Sequence, residues 1–307
     1  GRPKGAGVLH RGESNLISWY SQLLDVSSDD RILLMSSVGF DLTQKNLMLG
    51  FSSGAALVIP DFDEYEPERY AALIQLHRVS ILNCAPSALY PLIDTSLAEY
   101  PYPSLRHAIL GGEPIRLNAL DQWINHSGSR VTLTNSYGPT ECSDVVSSYS
   151  ASHIDEGAFP DGMPIGKPIP NTHLYIVDKQ GRLMPDGAVG ELRIAGVGVG
   201  TGYWQRQDLN QAVFSQCPFY DGRWYASGDL CRLAGSGVLQ YVGRKDFQVK
   251  LRGLRIEPDE VNSLLKSNVD VSDSLTLVLN DQLVSYVVAP RNLDVHSLKE
   301  SLRDRLP

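Results

Sequence analysis

The chain is short of thiols, of positive charge and of long apolar runs. Its four cysteines, Cys84, Cys142, Cys217 and Cys231, form no C-x-x-C pair and lie far apart. That argues against a zinc site or a disulfide framework, and for the reduced thiols of a cytoplasmic protein. Lys and Arg number 27 against 35 Asp and Glu, a formal net charge of -8. No broad basic surface is on hand to neutralise a phosphate backbone, so a nucleic-acid partner is not expected. No apolar run approaches the length of a membrane span, and the opening residues GRPKGAGVLHRG lack the apolar core of a signal peptide, so no membrane partner is expected either. Two familiar phosphate-cradling loops are missing. There is no G-x-x-x-x-G-K-[ST], and the glycines at 196, 198, 200 and 202 miss the G-x-G-x-x-G spacing. Methionine is absent at position 1, and the sequence reads as cropped from a longer one.

What is present suffices for one large or two moderate cores: 307 residues, 42% of them hydrophobic and 20% charged. Through roughly Ser150, strand-like runs (RILLMSS, AALVIP, VSILNCAP, RHAILGG, RVTLTNS) alternate with helical patterns such as PERYAALIQLHR and PIRLNALDQWINH. This βα alternation implies a mostly parallel sheet covered by helices. From about Gly162 the texture changes to short strands and turn signals: HLYIVDKQGRLMP, GELRIAG, RWYASGDLCRLAGSGVLQYVG. After QVKLRG come a helical pattern, EPDEVNSLLKS, two strand-like runs, SLTLVLN and QLVSYVVA, and a helical start, LDVHSLKESLRDRLP. The expected fold class is therefore α/β. A large core of parallel βα layers with a β-rich subdomain precedes a small, truncated α+β subdomain. The expected boundaries are 1–246 for the core, with its βα layer to about 160 and its β-rich part over 161–246, and 247–307 for the partial C-terminal subdomain.

Ligands of open parallel sheets bind beyond the carboxyl ends of strands. NSYGPTE, residues 135–141, falls in such a place, as do Gly111-Gly112-Glu113 and Ala85-Pro86-Ser87. Each motif also has a plain reading. GRPKG, residues 1–5, is a turn with two cations, and the alternating glycines of GELRIAGVGVGTGYW suit close backbone packing. In YASGDL a carboxylate follows Ser-Gly, where it can accept two hydrogen bonds from a diol such as a ribose, or serve as a turn residue. GRKDFQVKLRGLRIEP, residues 243–258, is a basic hairpin running into a helix at Glu257-Pro258. Asp41 stands where it can cap the helix LTQKNLML.

Taken in order, FD at Phe40-Asp41, NSYGPTE, GELRIAGVGVGTGY, YASGDL and GRKDFQVKLRGLRIEP resemble the adenylation domains of nonribosomal peptide synthetases. These belong to the adenylate-forming superfamily, which also holds acyl-CoA synthetases and luciferases, and the resemblance spans nearly the whole chain. It implies ATP-dependent activation of an amino acid and transfer of the acyl group to the phosphopantetheine of a peptidyl carrier protein, beside neighbouring synthetase domains. ATP and Mg²⁺ are the implied cofactors. On this resemblance Tyr137 stacks on adenine, Thr140 hydrogen-bonds the α-phosphate and Glu141 holds the metal through a hard oxygen. Gly112, Glu113, Asn135 and Gly138 complete the nucleotide contacts. Asp229 accepts from the ribose hydroxyls, Arg244 donates to the same sugar, and Lys4 belongs to the end of a phosphate loop. Asp246 matches the hinge of a swinging C-terminal subdomain, and Gly253 the loop that approaches the pantetheine. Such chemistry rests on alignment and charge screening more than on a histidine base. The sequence departs from the usual pattern at Ser227, which replaces a threonine and keeps the hydroxyl, and in GVGVGTGY, which lacks the common arginine. Leu306-Pro307 resembles the opening of the family's late L-P-x-Y motif. The catalytic lysine beyond it and most of the phosphate loop are thus expected to be missing, making the chain a poor adenylating enzyme by itself.

The same resemblance marks a substrate pocket: Asp41, Leu42, Lys45, Ser136, Asp144 and Val145 from the anchored motifs, and Asn83, Ile109 and Gly111 from the strands between. Asp41 fits an α-ammonium. A fatty-acid pocket would leave that carboxylate unpaired at a cost, which favours an amino acid over the acids of acyl-CoA or aryl-acid ligases, the alternatives along with a non-catalytic fragment. The hydrophilic set points to a polar substrate. Either Lys45 and Asp144 neutralise each other and leave a neutral polar wall, or one of them faces a substrate of opposite charge; a neutral or hydrogen-bonding side chain is favoured.

Overall fold

The computed structural model describes residues 4–62, 64–99, 102–120, 123–124, 131–154, 159, 162–235, 237–246, 248–251, 254–279, 282–291 and 293–303. Its contacts divide the chain into two compact units, Gly5–Gly243 and Arg244–Pro307 with Gly1–Lys4.

The larger unit opens with β1 (Ala6–Gly7), α1 (His10–Leu24), β2 (Arg31–Leu34), α2 (Asp41–Ser53), β3 (Ala56–Val58), α3 (Pro67–Leu76), β4 (Ile81–Cys84), α4 (Pro86–Glu99), β5 (His107–Gly111), β6 (Thr132–Tyr137), β7 (Ser147–Ala151) and β8 (Lys167–Pro168). Seven of these strands form one sheet in the order β3-β2-β4-β5-β6-β7-β8. The first five are parallel and the last two pairings antiparallel. Strands β2 and β4 are mostly apolar because both faces are covered: Ile32, Leu33, Ile81, Leu82 and Cys84 are all essentially inaccessible, and the polar exception within β4, Asn83, is buried too. Helix α1 buries Leu16, Tyr20 and Leu24 at four-residue intervals, the stripe expected of a helix laid on a sheet. It ends at Asp25 in the left-handed region (φ 46°), whose N–H returns to the carbonyls of Ser21 and Gln22. The helical pattern of PIRLNALDQWINH takes the form, among its described residues, of a 3₁₀ turn at Leu117–Ala119 and a helical pair at 123–124.

The unit continues through β9 (Thr172–Val177), β10 (Gly190–Gly196), β11 (Gly202–Tyr203), α5 (Gln207–Val213), β12 (Phe214–Gln216), β13 (Arg223–Ala234) and β14 (Val238–Arg244). Strands β12-β13-β10-β9 make a second sheet, with β14 also on β13, and β1 pairs with β11. One apolar cluster gathers under the first sheet around Leu33, Leu82, Leu110 and Leu133. Another joins Tyr137, Cys142, Ile165, Leu192 and Tyr225, tying the loop after β6 to the second sheet. All four cysteines are free and buried. Burial pushes the Cys84 thiol up to about 12, so it stays protonated and unreactive.

The smaller unit has a hairpin, β15 (Val249–Leu251) and β16 (Leu254–Ile256), then α6 (Pro258–Lys266), a second hairpin, β17 (Asp273–Leu279) and β18 (Gln282–Val288), and α7 (Val295–Arg303). Pro258 at the first position of α6 fits its fixed φ. Val261, Leu265, Val271 and Leu298 form the core.

Candidate active site

Four segments leave the carboxyl ends of adjacent parallel strands: Phe40-Asp41 into α2, Pro86-Ser87 into α4, Gly111-Gly112 after β5, and Tyr137 to Glu141 after β6. Register fixes their neighbours, with Asn83 opposite Ile109 and Gly111 opposite Ser136. A Cβ on Gly111 would meet Ser136 Oγ at 2.8 Å and Leu42 Cδ1 at 3.3 Å, which brings α2 onto the ends of β5 and β6.

The N-cap of α2 is Phe40, and Asp41 is its first helical residue, so the carboxylate is not spent on capping. Its Oδ1 accepts from the Leu42 N–H at 2.8 Å, and its Oδ2 accepts the Thr140 hydroxyl. Burial pushes the Asp41 carboxyl above the ordinary carboxylate range and nearby Asp144 adds to it, against the Thr140 bond and Lys45. An ammonium placed there would reverse that shift.

Lys45, 1% exposed, reaches the Asp144 Oδ2 at 2.5 Å and the Leu42 carbonyl at 3.4 Å. The two charges therefore meet each other, the first of the two arrangements open to the sequence. Asn83, at 0% exposure, donates to the same Leu42 carbonyl at 3.0 Å and to Asn46 Oδ1 at 3.2 Å, while its own Oδ1 has no hydrogen-bond partner. Ile109 is fully buried among Tyr20, Leu49 and Ile81, and Val145 packs on Leu16 and Ile169.

The loop after β6 folds back on itself. A Cβ on Gly138 would lie 1.9 Å from the Asp144 carbonyl, so glycine alone fits. Ser143 and Asp144 both take positive φ, 61° and 66°, and Val146 N–H closes the turn on the Tyr137 carbonyl at 2.8 Å. Glu141 sits in the 3₁₀ turn Thr140–Cys142, 4% exposed, and accepts the Tyr203 hydroxyl. Gly200 approaches so closely that its N–H donates to the Glu141 carbonyl at 2.9 Å. The Tyr137 hydroxyl donates to Asp229 Oδ2, joining the β6 end to β13. Asn135 ties its amide to the carbonyls of Met163 and Pro164, at 3.2 and 2.9 Å. Glu113 accepts Ser87 N–H and Oγ at 3.0 and 3.1 Å, which caps the first turn of α4. Gly112 takes φ 86°.

Four expected site residues lie in the smaller unit. Arg244 grips Asp246 bidentately at 2.6 and 2.7 Å, and Lys4 meets Glu257 at 3.4 Å. Gly253 lies outside the described residues. The larger unit thus gathers Asp41, Leu42, Lys45, Asn83, Gly111, Ser136, Thr140 and Asp144 around α2. Among the described residues no group of three or more His, Cys, Asp or Glu could hold a metal. Glu141, a single hard carboxylate beside the Thr140 hydroxyl, fits the habit of Mg²⁺, which takes one or two carboxylates and completes its shell with phosphate and water. No described helix is long and apolar enough to cross a membrane.

Sequence reasoning passed over Tyr203, Asn46 and Glu13. Tyr203 lay inside the quoted GTGYW, and its link to Glu141 spans 62 positions. Glu13 did leave a signal, an acid on the stripe continued by Leu16, Tyr20 and Leu24.

A strand-end cluster sets the Asp41 carboxylate against the Thr140 hydroxyl of the turn that carries Glu141. The profile of the family described as AMP-binding enzyme matches residues 1–204, and the chain belongs to that family. Within it, a probable non-canonical nonribosomal peptide synthetase, CymA, of Salinispora arenicola is 36% identical over 315 residues, covering 100% of this chain and 4% of that protein. The Vibrio cholerae adenylation domain AlmE, solved with glycyl-adenosine-5'-phosphate, superposes with a TM-score of 0.86 at 26% identity, covering 99% of this chain and 59% of that one. Holo-PA1221, a synthetase protein with adenylation and PCP domains bound to a vinylsulfonamide inhibitor, gives 0.88 at 25% identity, covering 100% and 54%. The chain spans 4–6% of the length of four curated synthetase relatives.

Proposed function

We propose that this chain is the adenylating part of a nonribosomal peptide synthetase. It activates an amino acid with ATP and hands it to the phosphopantetheine thiol of a carrier protein. The observation that carries this reading is the Asp41–Thr140 contact, which sets an anchor for an α-ammonium against the hydroxyl proposed to meet the α-phosphate. In the first half-reaction a substrate carboxylate oxygen forms a bond to the α-phosphorus and pyrophosphate leaves with the broken P–O pair. In the second the thiolate sulfur attacks the acyl carbon and AMP leaves. Asp41 fixes the amino end and Thr140 the phosphate, so the reacting atoms are held in line. Glu141 would hold Mg²⁺, which would supply charge screening when bound. Asp229, already bonded to the Tyr137 hydroxyl, would set the ribose beside the ring that carries the base. The AlmE complex with an aminoacyl adenylate and the adenylation–PCP pairing in holo-PA1221 support the two steps.

The test is ATP–pyrophosphate exchange by the intact protein across the amino acids and their deaminated analogues. Exchange confined to compounds with an α-ammonium supports the proposal. Equal exchange with hydroxy or deaminated acids points instead to an acyl-CoA or aryl-acid ligase.

The smaller unit is proposed to turn about Asp246 between the half-reactions. Asp246→Pro fixes φ near about -65° and removes the carboxylate that holds Arg244. Exchange is expected to persist while loading of the carrier thiol falls at least about tenfold, as when a closure step is blocked. Equal retention of both steps, followed by radiolabelled amino acid on the carrier, removes the hinge from Asp246.

A further inference from the structure

Glu13 stands in the first turn of α1, two turns before Tyr20 on the same stripe. Lys45 Nζ lies 5.8 Å from the centroid of the Tyr20 ring, so this stripe faces the Lys45–Asp144 pair. The next contact fixes the N-terminal end. A Cβ on Gly12 would meet Ser143 Oγ at 2.4 Å and Gly198 Cα at 3.2 Å, which sets the first turn of α1 against the turn that carries Asp144. Glu13 Oε1 is sealed from solvent and has no hydrogen-bond partner, and the same holds for Asn83 Oδ1.

The cluster's donors and acceptors do not balance. Lys45 spends two of its three N–H groups on Asp144 and the Leu42 carbonyl. Asn83 spends both of its own on the Leu42 carbonyl and Asn46, and Thr140 spends its hydroxyl on Asp41. What remains is one Lys45 N–H against two buried acceptors, Glu13 Oε1 and Asn83 Oδ1. The charges are unequal too. Asp41 is matched by the α-ammonium of an amino acid and Asp144 by Lys45, which leaves the Glu13 carboxylate over. Resting on the adenylation reading, we propose that Glu13 is a specificity-determining residue of the amino-acid pocket, and that the substrate's side chain is a cationic hydrogen-bond donor, an amine or a guanidine. Such a side chain supplies the donor still missing when the last Lys45 N–H is counted, and the missing charge. Burial first, and then the Asp144 carboxylate, push the Glu13 carboxyl up, against Lys45; a cation beside it opposes both causes. Because the Lys45–Asp144 pair is closed, the unbalanced charge is Glu13, and it selects a cation over a neutral side chain.

The experiment is ATP–pyrophosphate exchange by the intact protein with ornithine, lysine and arginine set against glutamine, norleucine, glutamate and phenylalanine, repeated with Glu13→Gln. The expected result is greatest kcat/KM with one of the cationic substrates. Glu13→Gln should lower that value at least about tenfold, chiefly through KM, since a charge-assisted bond becomes a neutral one. Exchange with glutamine should stay within a few-fold. A wild-type preference for glutamate, norleucine or phenylalanine overturns the inference without calling on any variant. So does an unchanged ranking in Glu13→Gln whose melting matches the wild type. Exchange with no amino acid at all overturns the adenylation reading itself, and is distinguishable because the first two outcomes require exchange.

Discussion

Glu141→Gln is expected to lower ATP–pyrophosphate exchange by about two to three orders of magnitude, the scale on which loss of one preorganised electrostatic contact slows an enzyme, with little loss of stability. The reason is that Glu141 has two separable jobs. Its Oε1 accepts the Tyr203 hydroxyl, and its backbone carbonyl accepts the Gly200 N–H. A glutamine oxygen still accepts from Tyr203, and the backbone is untouched, so the turn Thr140–Cys142 keeps its shape. What disappears is the anion proposed to hold Mg²⁺. Alanine is the less clean change, because it also removes the oxygen that accepts the buried Tyr203 hydroxyl. The measurement is exchange titrated with Mg²⁺, beside calorimetric melting. Metal loss should show as a higher Mg²⁺ requirement in a protein that melts normally. Undiminished exchange at low Mg²⁺ takes the metal away from Glu141.

Much of the architecture was legible because strands covered on both faces read as mostly apolar runs. Six of the eight residues at 31–34 and 81–84 are apolar, the exceptions being Arg31 and Asn83. The ends of those strands were legible as places, through NSYGPTE and Gly111-Gly112. The partners were less so. That Asp41 meets Thr140 across 99 positions, and Tyr137 meets Asp229 across 92, depends on how α2 and the second sheet dock. No local period encodes such a distance. The sequence did frame the choice between a closed Lys45–Asp144 pair and two outward-facing charges, and the structure closes the pair: the Lys45 side chain is 0% exposed and its ammonium reaches Asp144 and the Leu42 carbonyl. Glu113 shows the opposite difficulty. A Gly-Gly-Glu after a strand reads naturally as a ligand loop, yet this carboxylate accepts both the N–H and the hydroxyl of Ser87 in the first turn of α4, a local satisfaction that becomes visible when the neighbouring strand is placed. Glu13 was readable in principle, since an acid on an apolar stripe must find a polar use or pay for its burial.

Lys45→Met is expected to destabilise the protein by about 3–5 kcal/mol, the cost of removing one partner from a buried ion pair. For a unit of this size that corresponds to roughly 2–4 °C in Tm per kcal/mol. The Lys45 side chain is 0% exposed and that of Asp144 14%, with Nζ and Oδ2 at 2.5 Å. Methionine fills nearly the same volume, so the loss is of charge and not of packing. Without the ammonium, Asp144 is left in the company of Asp41 and Glu13, whose carboxyls its charge already pushes up. Three half-buried carboxylates would then stand near one another without the Lys45 cation, and at least one of them would take up a proton on folding. The double change Lys45→Met with Asp144→Asn should recover most of the loss, because it removes the orphaned charge while keeping a residue that tolerates φ 66° at position 144. Calorimetry on the two single variants and the double variant gives the coupling directly. A Lys45→Met protein melting within a degree or two of the wild type, or a double variant no more stable than Lys45→Met, would mean that the pocket is held by the apolar packing of α1 on α2 and not by the ion pair.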